Sequence, residues 1–385
     1  MANKNLTSAK KAKNDEFYTQ YHDIEKEVSA YLEFDPDVFK GKTILLPCDD
    51  PEWSNFTKFF AQNFTRFGIK KLISTSYAED SKTHKSNYQP TLFEMNDPQF
   101  DENKTRSNGK IFTLEAKDIN GGKQIDINDL KWKYLKGDGD FRSPEIKKLR
   151  DQSDIIITNP PFSLFREFLA WILEGTQSTH THTHTCNPSL KQFLIISNKN
   201  CFTFKEVFPL VKDNKLWSGR TSWGGGMWFE TKNLEDVDKV IDGVSMKNVP
   251  SVFVTNIDHG RRHQPLALMT MADNLKFNKK MKGKTQYDKY DNYDAIEVPF
   301  TDAIPSDYYG IMGVPISFLD KYCPEQFEII WQASGNSYAN MPKELLKMVK
   351  FVPNVPGAEG AGQGVGVVCG RKVFSRILIK HKEGQ

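Results

Sequence analysis

Runs of consecutive apolar residues alternate along much of the chain with stretches in which apolar positions recur every three or four residues. The runs are Thr43-Ile-Leu-Leu-Pro47, Lys70 to Thr75, Ile155 to Ile157, Gln192 to Ser197 and Val252 to Ile257. Such runs, too short for a helix and without polar alternation, predict strands covered on both faces. The stretches between them predict helices. Ile24 to Leu32 is amphipathic, and Ser54 to Phe64 places Phe56, Phe59, Phe60 and Phe64 on one side. Ser143-Pro-Glu reads as a helix start, and Phe165 to Leu173 repeats at helical spacing. Buried strands alternating with helices predict an α/β fold with a Rossmann-like, mainly parallel, doubly wound sheet. Lys110 to Ala116 and Gln124 to Asn128, around Gly121-Gly122, read as a hairpin, and Met227 to Glu230 with Val252 to Ile257 as a final hairpin pair. Past residue 257 the pattern loosens into a basic, aromatic, proline-punctuated region that ends in a strand over Val373 to Ile379. Two domains are expected, 1–257 and 258–385.

In open α/β sheets ligands bind beyond the carboxyl ends of the strands, so the residues there carry the chemistry. The first strand ends in Cys48-Asp49-Asp50-Pro51. A phosphate loop would need glycines at this point. Two carboxylates would repel a pyrophosphate and suit a ligand bearing an ammonium and a sulfonium. The second ends in Ser74-Thr75-Ser76-Tyr77, which leaves the ribose-binding acid unassigned. Gly137-Asp138-Gly139-Asp140-Phe141-Arg142-Ser143 is a tight acidic turn. It reads either as a surface turn or as a carboxylate accepting an adenine amino group, with Phe141 against the ring. Lys13-Asn-Asp-Glu-Phe17-Tyr18-Thr19-Gln20 is either a helix start with an aromatic staple or an aromatic and hydroxyl cluster closing over a cofactor.

The run Ile155 to Ile157 stops at Asn159-Pro160-Pro161-Phe162. Prolines cannot donate to a sheet ladder, and a residue before proline is driven to extended backbone. The result is a stiff polar turn with an aromatic beside it. Two readings stand side by side: a loop that closes a core strand, and a clamp for a planar amine. In the second, the Asn159 side-chain oxygen and the Pro160 carbonyl accept the two hydrogens of a ring-conjugated amino group. That localises its lone pair, while Phe162 offers a stacking face. The turn resembles the catalytic motif of amino-methyltransferases that use S-adenosylmethionine.

Composition sharpens this only in part. The 385 residues carry a net charge of +3, too little to announce nucleic acid. The basic residues are nevertheless clustered. Lys4, Lys10, Lys11 and Lys13 form an arm, and Arg261, Arg262, Lys276, Lys279, Lys280, Lys282, Lys284 and Lys289 a second group. Arg371, Lys372, Arg376, Lys380 and Lys382 form a third. These suit phosphates, although any one cluster is also what an ordinary solvated surface looks like. No apolar run reaches the ~18 residues of a membrane span, and residues 1–13 lack the apolar core of a secretory signal. Five scattered cysteines without a CxxC pair suggest neither a disulfide framework nor a zinc site, and point to a reducing intracellular compartment. Thr179-His180-Thr-His182-Thr-His184-Thr185 reads as a low-complexity insertion in preference to a metal site. Trp223-Gly-Gly-Gly226 reads as a flexible lip or a turn, and Pro356 to Gly366 as a mobile loop.

Taken together, the motifs resemble those of the EcoRI-type family of adenine-specific DNA methyltransferases. The matching pieces are Lys-Asn-Asp-Glu-Phe-Tyr-Thr-Gln (13–20), Cys-Asp-Asp-Pro (48–51), Gly-Asp-Gly-Asp-Phe-Arg-Ser (137–143) and Asn-Pro-Pro-Phe-Ser-Leu-Phe-Arg (159–166). They continue with Thr-Asn-Ile-Asp-His-Gly-Arg-Arg-His (255–263), Tyr-Asp-Asn-Tyr-Asp-Ala-Ile-Glu-Val (290–298), Met-Gly-Val-Pro-Ile-Ser-Phe-Leu-Asp-Lys-Tyr (312–322) and Ser-Arg-Ile-Leu-Ile (375–379). The resemblance implies that Tyr18, Thr19, Asp49, Asp50 and one of Asp138 or Asp140 contact S-adenosylmethionine, and that Asn159 to Phe162 hold the adenine. We extend the expected cofactor site to Phe17, Ser54, Phe141 and Asn159. We expect Lys13, Arg220, Arg261, Arg262, Lys280 and Lys282 to contact DNA. The expected protein is a monomeric intracellular enzyme acting on double-stranded DNA, releasing S-adenosylhomocysteine and needing no metal or membrane. Residues 258–385 would be its target-recognition region. The competing readings are an RNA or protein-glutamine methyltransferase, and a DNA-binding protein without catalysis. The histidine repeat lies outside the family pattern and has the look of a lineage-specific insertion.

Overall fold

The computed structural model describes residues 18–52, 54–78, 100–118, 131–175, 190–221, 223–231, 237–334, 341–350, 352 and 364–382. The chain divides into two compact units. One joins the chain up to Asn198 with Gly219–Asp258, and the other joins Lys199–Ser218 with the chain from His259.

The first unit follows the apolar pattern closely. Its main sheet is built from β2 (Thr43–Leu46), β3 (Lys71–Thr75), β4 (Lys110–Glu115), β5 (Trp132–Tyr134), β6 (Ile155–Thr158), β7 (Gln192–Asn198) and β11 (Ser251–Thr255). The spatial order is β5-β4-β3-β2-β6-β7-β11. β3, β2, β6 and β7 are parallel neighbours. β4, β5 and β11 pair antiparallel at the flanks. Every residue of β2, β6 and β11 is buried, as uninterrupted apolar runs require. The chain leaves β2 towards β3 on one side and returns to β6 on the other. That reversal opens a crevice at their carboxyl ends.

Helices α1 (Tyr21–Phe34), α2 (Asn55–Gln62), α3 (Glu102–Ser107), α4 (Pro144–Gln152) and α5 (Phe165–Glu174) belong to this unit. α1 buries Ile24, Glu27, Val28 and Tyr31 on one stripe. α2 begins at Ser54, whose hydroxyl accepts from the Phe56 and Thr57 amides, and α4 begins at Ser143 with Pro144 in its first turn. Phe39, Phe59, Phe60 and Phe67 meet mostly edge to face in the core beside α2.

One expected pairing is corrected. Met227–Glu230 (β8) does not form a hairpin with the apolar run at 252–257. It joins a separate antiparallel sheet with β1 (Tyr18–Thr19), β9 (Lys239–Ile241) and β10 (Val244–Val249), in the order β1-β8-β10-β9. The buried run becomes β11 beside β7. β8 alternates buried and less buried positions, the mark of a strand covered on one face. Lys110–Glu115 is a strand as expected, but the partner expected at 124–128 lies outside the described residues.

In the second unit, β12 (Ala295–Glu297), β13 (Ile311–Pro315), β14 (Phe327–Ala333) and β17 (Arg376–His381) form a sheet in the order β12-β13-β17-β14. β15 (Val367–Val368) and β16 (Arg371–Lys372) make a short hairpin. α6 (Phe208–Lys212), α7 (Met271–Phe277) and α8 (Lys343–Leu346) are its α-helices among the described residues. Tyr290 to Tyr293 ties in the chain near the hairpin. Asn292 bonds Val365 O at 2.6 Å and Val367 N at 2.9 Å, and the Tyr293 hydroxyl donates to Gly364 O at 2.8 Å. No helix among the described residues is long and apolar enough to cross a membrane.

Candidate active site

The carboxyl ends of β2, β3 and β6 are joined by a buried polar knot centred on Asp49. Its Oδ1 accepts from the Ser54 hydroxyl and its Oδ2 from the Thr158 hydroxyl, both at 2.6 Å. Its backbone closes the third side: Ser74 Oγ donates to Asp49 O at 2.5 Å, and Asp49 N donates to Thr75 O at 3.0 Å. Thr57 Oγ1 lies 2.7 Å from Ser74 Oγ. Asp49 is 5% exposed. Its side chain therefore stands behind the crevice, with each carboxylate oxygen already engaged. Asp50, on the same turn, is half-buried.

Burial pushes the Asp49 carboxyl up to about 7, against the lowering effect of the Ser54 and Thr158 hydrogen bonds. The folded value lies above the ordinary value of 3.8, so the folded state holds this proton more tightly than the unfolded chain. The associated stability is complete below about pH 4 and is lost as pH rises through about 7. Asp49→Asn cannot ionise. Its stability relative to the parent is expected to improve between pH 5 and pH 8, as read by urea unfolding at each pH. A difference that does not change with pH would contradict this.

Thr158 is the last residue of β6, so the knot fixes the base of the Asn159 turn. Asn159 is half-buried, Pro160 is buried, and Pro161 is extended at φ −54° and ψ 125°. Leu164 N donates to Pro161 O at 3.0 Å, which folds Phe162–Leu164 into a short 3₁₀ turn leading to α5. The half-buried Phe162 ring meets Phe229 of β8 edge to face at 6.3 Å. Phe229 is in register with Thr19 of β1, and Asn55 Nδ2 at the start of α2 donates to Thr19 O at 2.8 Å. The turn after β2, β1 and the Asn159 turn are thus assembled around one crevice.

Two observations bear on whether these residues fit S-adenosylmethionine. The buried Thr19 hydroxyl has no hydrogen-bond partner among the described residues, a cost that a polar ligand would remove. The acidic turn 137–140 is docked on the end of β3. Ala78 N donates to Asp138 O at 2.7 Å, and a Cβ on Gly139, at φ +82°, would fall 2.1 Å from Ser76 O. Only glycine lets the turn approach that strand end so closely. Asp140 is committed elsewhere: Arg142 donates to it at 2.6 and 2.9 Å, and Tyr77 at 3.2 Å. Phe141 is a core residue packed edge to face on Phe168 and Trp171, so its ring supports α5 and is not a free stacking face.

The expected DNA contacts divide. Arg262 is 5% exposed, lies 3.6 Å over the Trp217 ring, and donates to Asn214 Oδ1. That makes it a structural cation of the second unit, not the surface phosphate ligand expected of it. Arg261 pairs with Asp320 at 2.9 Å. Lys280 pairs with Asp302 at 2.9 Å and remains half exposed, and Lys282 is exposed. Arg220 is half-buried, its backbone held by Glu27. Lys13, Phe17, the Tyr18 side chain and His180, His182 and His184 lie outside the described residues. Sequence reasoning missed Thr158 and Glu27. The one signal for Glu27 was its place on the apolar stripe of α1, where a charge demands partners.

A profile described as adenine-specific methyltransferase EcoRI matches residues 5–382. The chain belongs to this family. It is an adenine-specific DNA methyltransferase that uses S-adenosylmethionine. It is 40% identical over 336 residues to the Type II methyltransferase M.EcoRI of Escherichia coli, covering 85% of this chain and 89% of that one. It is 31% identical over 384 residues to M.MpnI of Mycoplasma pneumoniae, covering 97% of each. M.MgeORF184P of Mycoplasma genitalium is also 31% identical, over 382 residues, covering 97% of this chain and 98% of that one. No solved structure matches the chain.

Proposed function

We propose that Asn159, Pro160 and Phe162 hold the adenine, turned out of duplex DNA, whose N6 the enzyme methylates. The observation that supports this most is the hydrogen bond from Thr158 to Asp49. It joins the amine-clamping turn at the end of β6 to the acidic turn at the end of β2. S-Adenosylmethionine supplies a methyl group on a cationic sulfur. Asp50, the Thr19 hydroxyl and Asp138 would hold it, with Asp49 and Ser54 shaping the turn from behind.

The chain's own contribution is positioning and hydrogen-bond acceptance. The Asn159 side-chain oxygen and the Pro160 carbonyl take the two amino hydrogens. This draws the lone pair out of conjugation and directs it across the crevice. No tuned general base is required, because the amino proton becomes acidic only as the new bond forms. Turning the base out costs a few kcal/mol, and stacking on Phe162 returns ~1–3 kcal/mol of it. The second unit, with its exposed lysines, is proposed as the target-recognition region in an enzyme that works where the DNA is.

The test is transfer of tritium from methyl-labelled S-adenosylmethionine to duplex DNA, RNA and protein, followed by sequencing of the labelled positions. Label is expected on N6 of adenine in a single duplex sequence, and full labelling of that adenine by an Asn159→Ala variant would overturn the reading. In the same assay Phe162→Ala is expected to cut kcat/KM for duplex DNA by about ten- to a hundredfold. Unchanged kinetics would remove the stacking role.

A further inference from the structure

Outside the crevice the buried carboxyl of Glu27 has no part in the chemistry described so far. Glu27 of α1 is 0% exposed, and no cation pairs with it among the described residues. Four donors surround it. Oε1 accepts from Arg220 N at 2.6 Å and from the Tyr31 hydroxyl at 2.7 Å. Oε2 accepts from Thr221 N and from Thr221 Oγ1, both at 2.7 Å. Apart from Tyr31, all belong to one short segment that is remote in sequence. The segment is shaped for the carboxylate. A Cβ on Gly219 would lie 2.1 Å from Glu27 Oε1 and 2.7 Å from Phe253 Cβ, so only glycine lets the backbone in. Gly219 N also donates to Phe253 O of β11 at 2.8 Å.

We infer that Glu27 is a positioning residue for target binding: it latches residues 219–221 so that Arg220 and the glycine lip enter β8 on one fixed path. This rests on the base-holding reading proposed above. The path matters because β8 carries Phe229, which abuts the stacking ring of Phe162. The segment is held again further on, where Asn248 Nδ2 donates to Gly225 O at 2.8 Å, and at Phe229 by its pairing with Thr19. Between these anchors the lip turns through Gly225 at φ +90° and Gly226 at φ +69°, where side chains would be strained. A stretch so rich in glycine would sample many paths if its start were loose. A carboxylate can accept from all four donors at once. A neutral amide of the same size cannot, since its NH₂ would face N–H and O–H groups.

The test compares Glu27→Gln and Thr221→Val with the parent on unmethylated plasmid DNA. Both variants are expected to raise KM for DNA, Glu27→Gln by tenfold or more and Thr221→Val by less. The dissociation constant for S-adenosylmethionine should stay within about twofold, and kcat at saturating DNA within about threefold. Thr221→Ser, which keeps the hydroxyl, should restore the parent KM. A merely structural role would lower the melting temperature and move both affinities together. Equal loss of cofactor and DNA affinity, or an unchanged KM for DNA, would overturn the inference. Thr221→Val replaces one hydroxyl by a methyl of similar size and leaves the backbone donors in place, so it decides the matter even if Glu27→Gln fails to fold. Labelling of DNA by Asn159→Ala tests the underlying reading separately from either variant.

Discussion

Asn159→Ala is expected to lower the rate of methyl transfer by at least 10²–10³-fold, the range found when one preorganised hydrogen-bonding group is removed from a reacting centre. S-Adenosylmethionine affinity should stay within a few-fold. The turn that carries Asn159 is set from below by Thr158 and Asp49 and from within by two prolines, so alanine should leave its backbone in place. What disappears is one of two acceptors for the amino hydrogens. The Pro160 carbonyl alone cannot hold both, and the lone pair stays conjugated with the ring. Single-turnover kinetics with labelled cofactor, alongside calorimetric titration of the cofactor, separate the two effects. Normal turnover with lost cofactor binding would refute the assignment of Asn159.

Glu297→Ala is expected to destabilise the second unit by about 3–5 kcal/mol, the usual cost of leaving a buried charge without its partner. Arg376 donates to Glu297 Oε1 through Nη2 at 2.7 Å and Nε at 2.9 Å, and the buried Tyr290 hydroxyl donates to Oε2. Burial first, and the neighbouring Glu297 second, hold the Tyr290 proton well above the usual phenol range, so Tyr290 stays a donor. Removing the carboxylate strands both Arg376 and Tyr290. Replacing Glu297 and Arg376 together by apolar residues of similar volume should recover much of the loss. Urea unfolding followed by a probe in this unit would show both effects. A loss below about 1 kcal/mol for Glu297→Ala would mean that water reaches the pair.

Where burial follows directly from composition, the elements were legible in the chain. The isoleucines of β6 and the leucines of β2 admit few places other than a doubly covered sheet, and Ser54 and Ser143 mark helix starts by a local hydrogen bond. The Asn159 turn was legible for the same reason, because proline chemistry is local. Long-range choices were not. The alternation of 227–230 matched a one-sided strand, but nothing in it named residues 244–249 as the partner. Acidic residues at the end of β2 announced charge without showing which carboxylate turns inward. Asp49 faces Thr158, a residue far along the chain that reads in isolation as the polar end of an apolar run. Arg262 looked like any basic surface residue because its partners, Trp217 and Asn214, precede it by a whole stretch of chain. Glu27 was hidden in the same way by Thr221.

Arg150, near the end of α4, has a consequence for how the chain can be lengthened. Its guanidinium bonds Trp171 O and Glu174, and a Cβ on Gly175 would fall 2.7 Å from its Nε. The buried ammonium of Lys191 donates to Arg150 O at 2.5 Å and to Ser153 O at 2.6 Å. The chain therefore departs at Gly175 and returns at Lys191 around the same arginine, as through a drawn purse-string. Closing a longer loop at such a neck costs only about 0.6 kcal/mol for each doubling of length. The threonine–histidine tract falls in this interval of the sequence. The same point is a natural port for grafting a reporter domain.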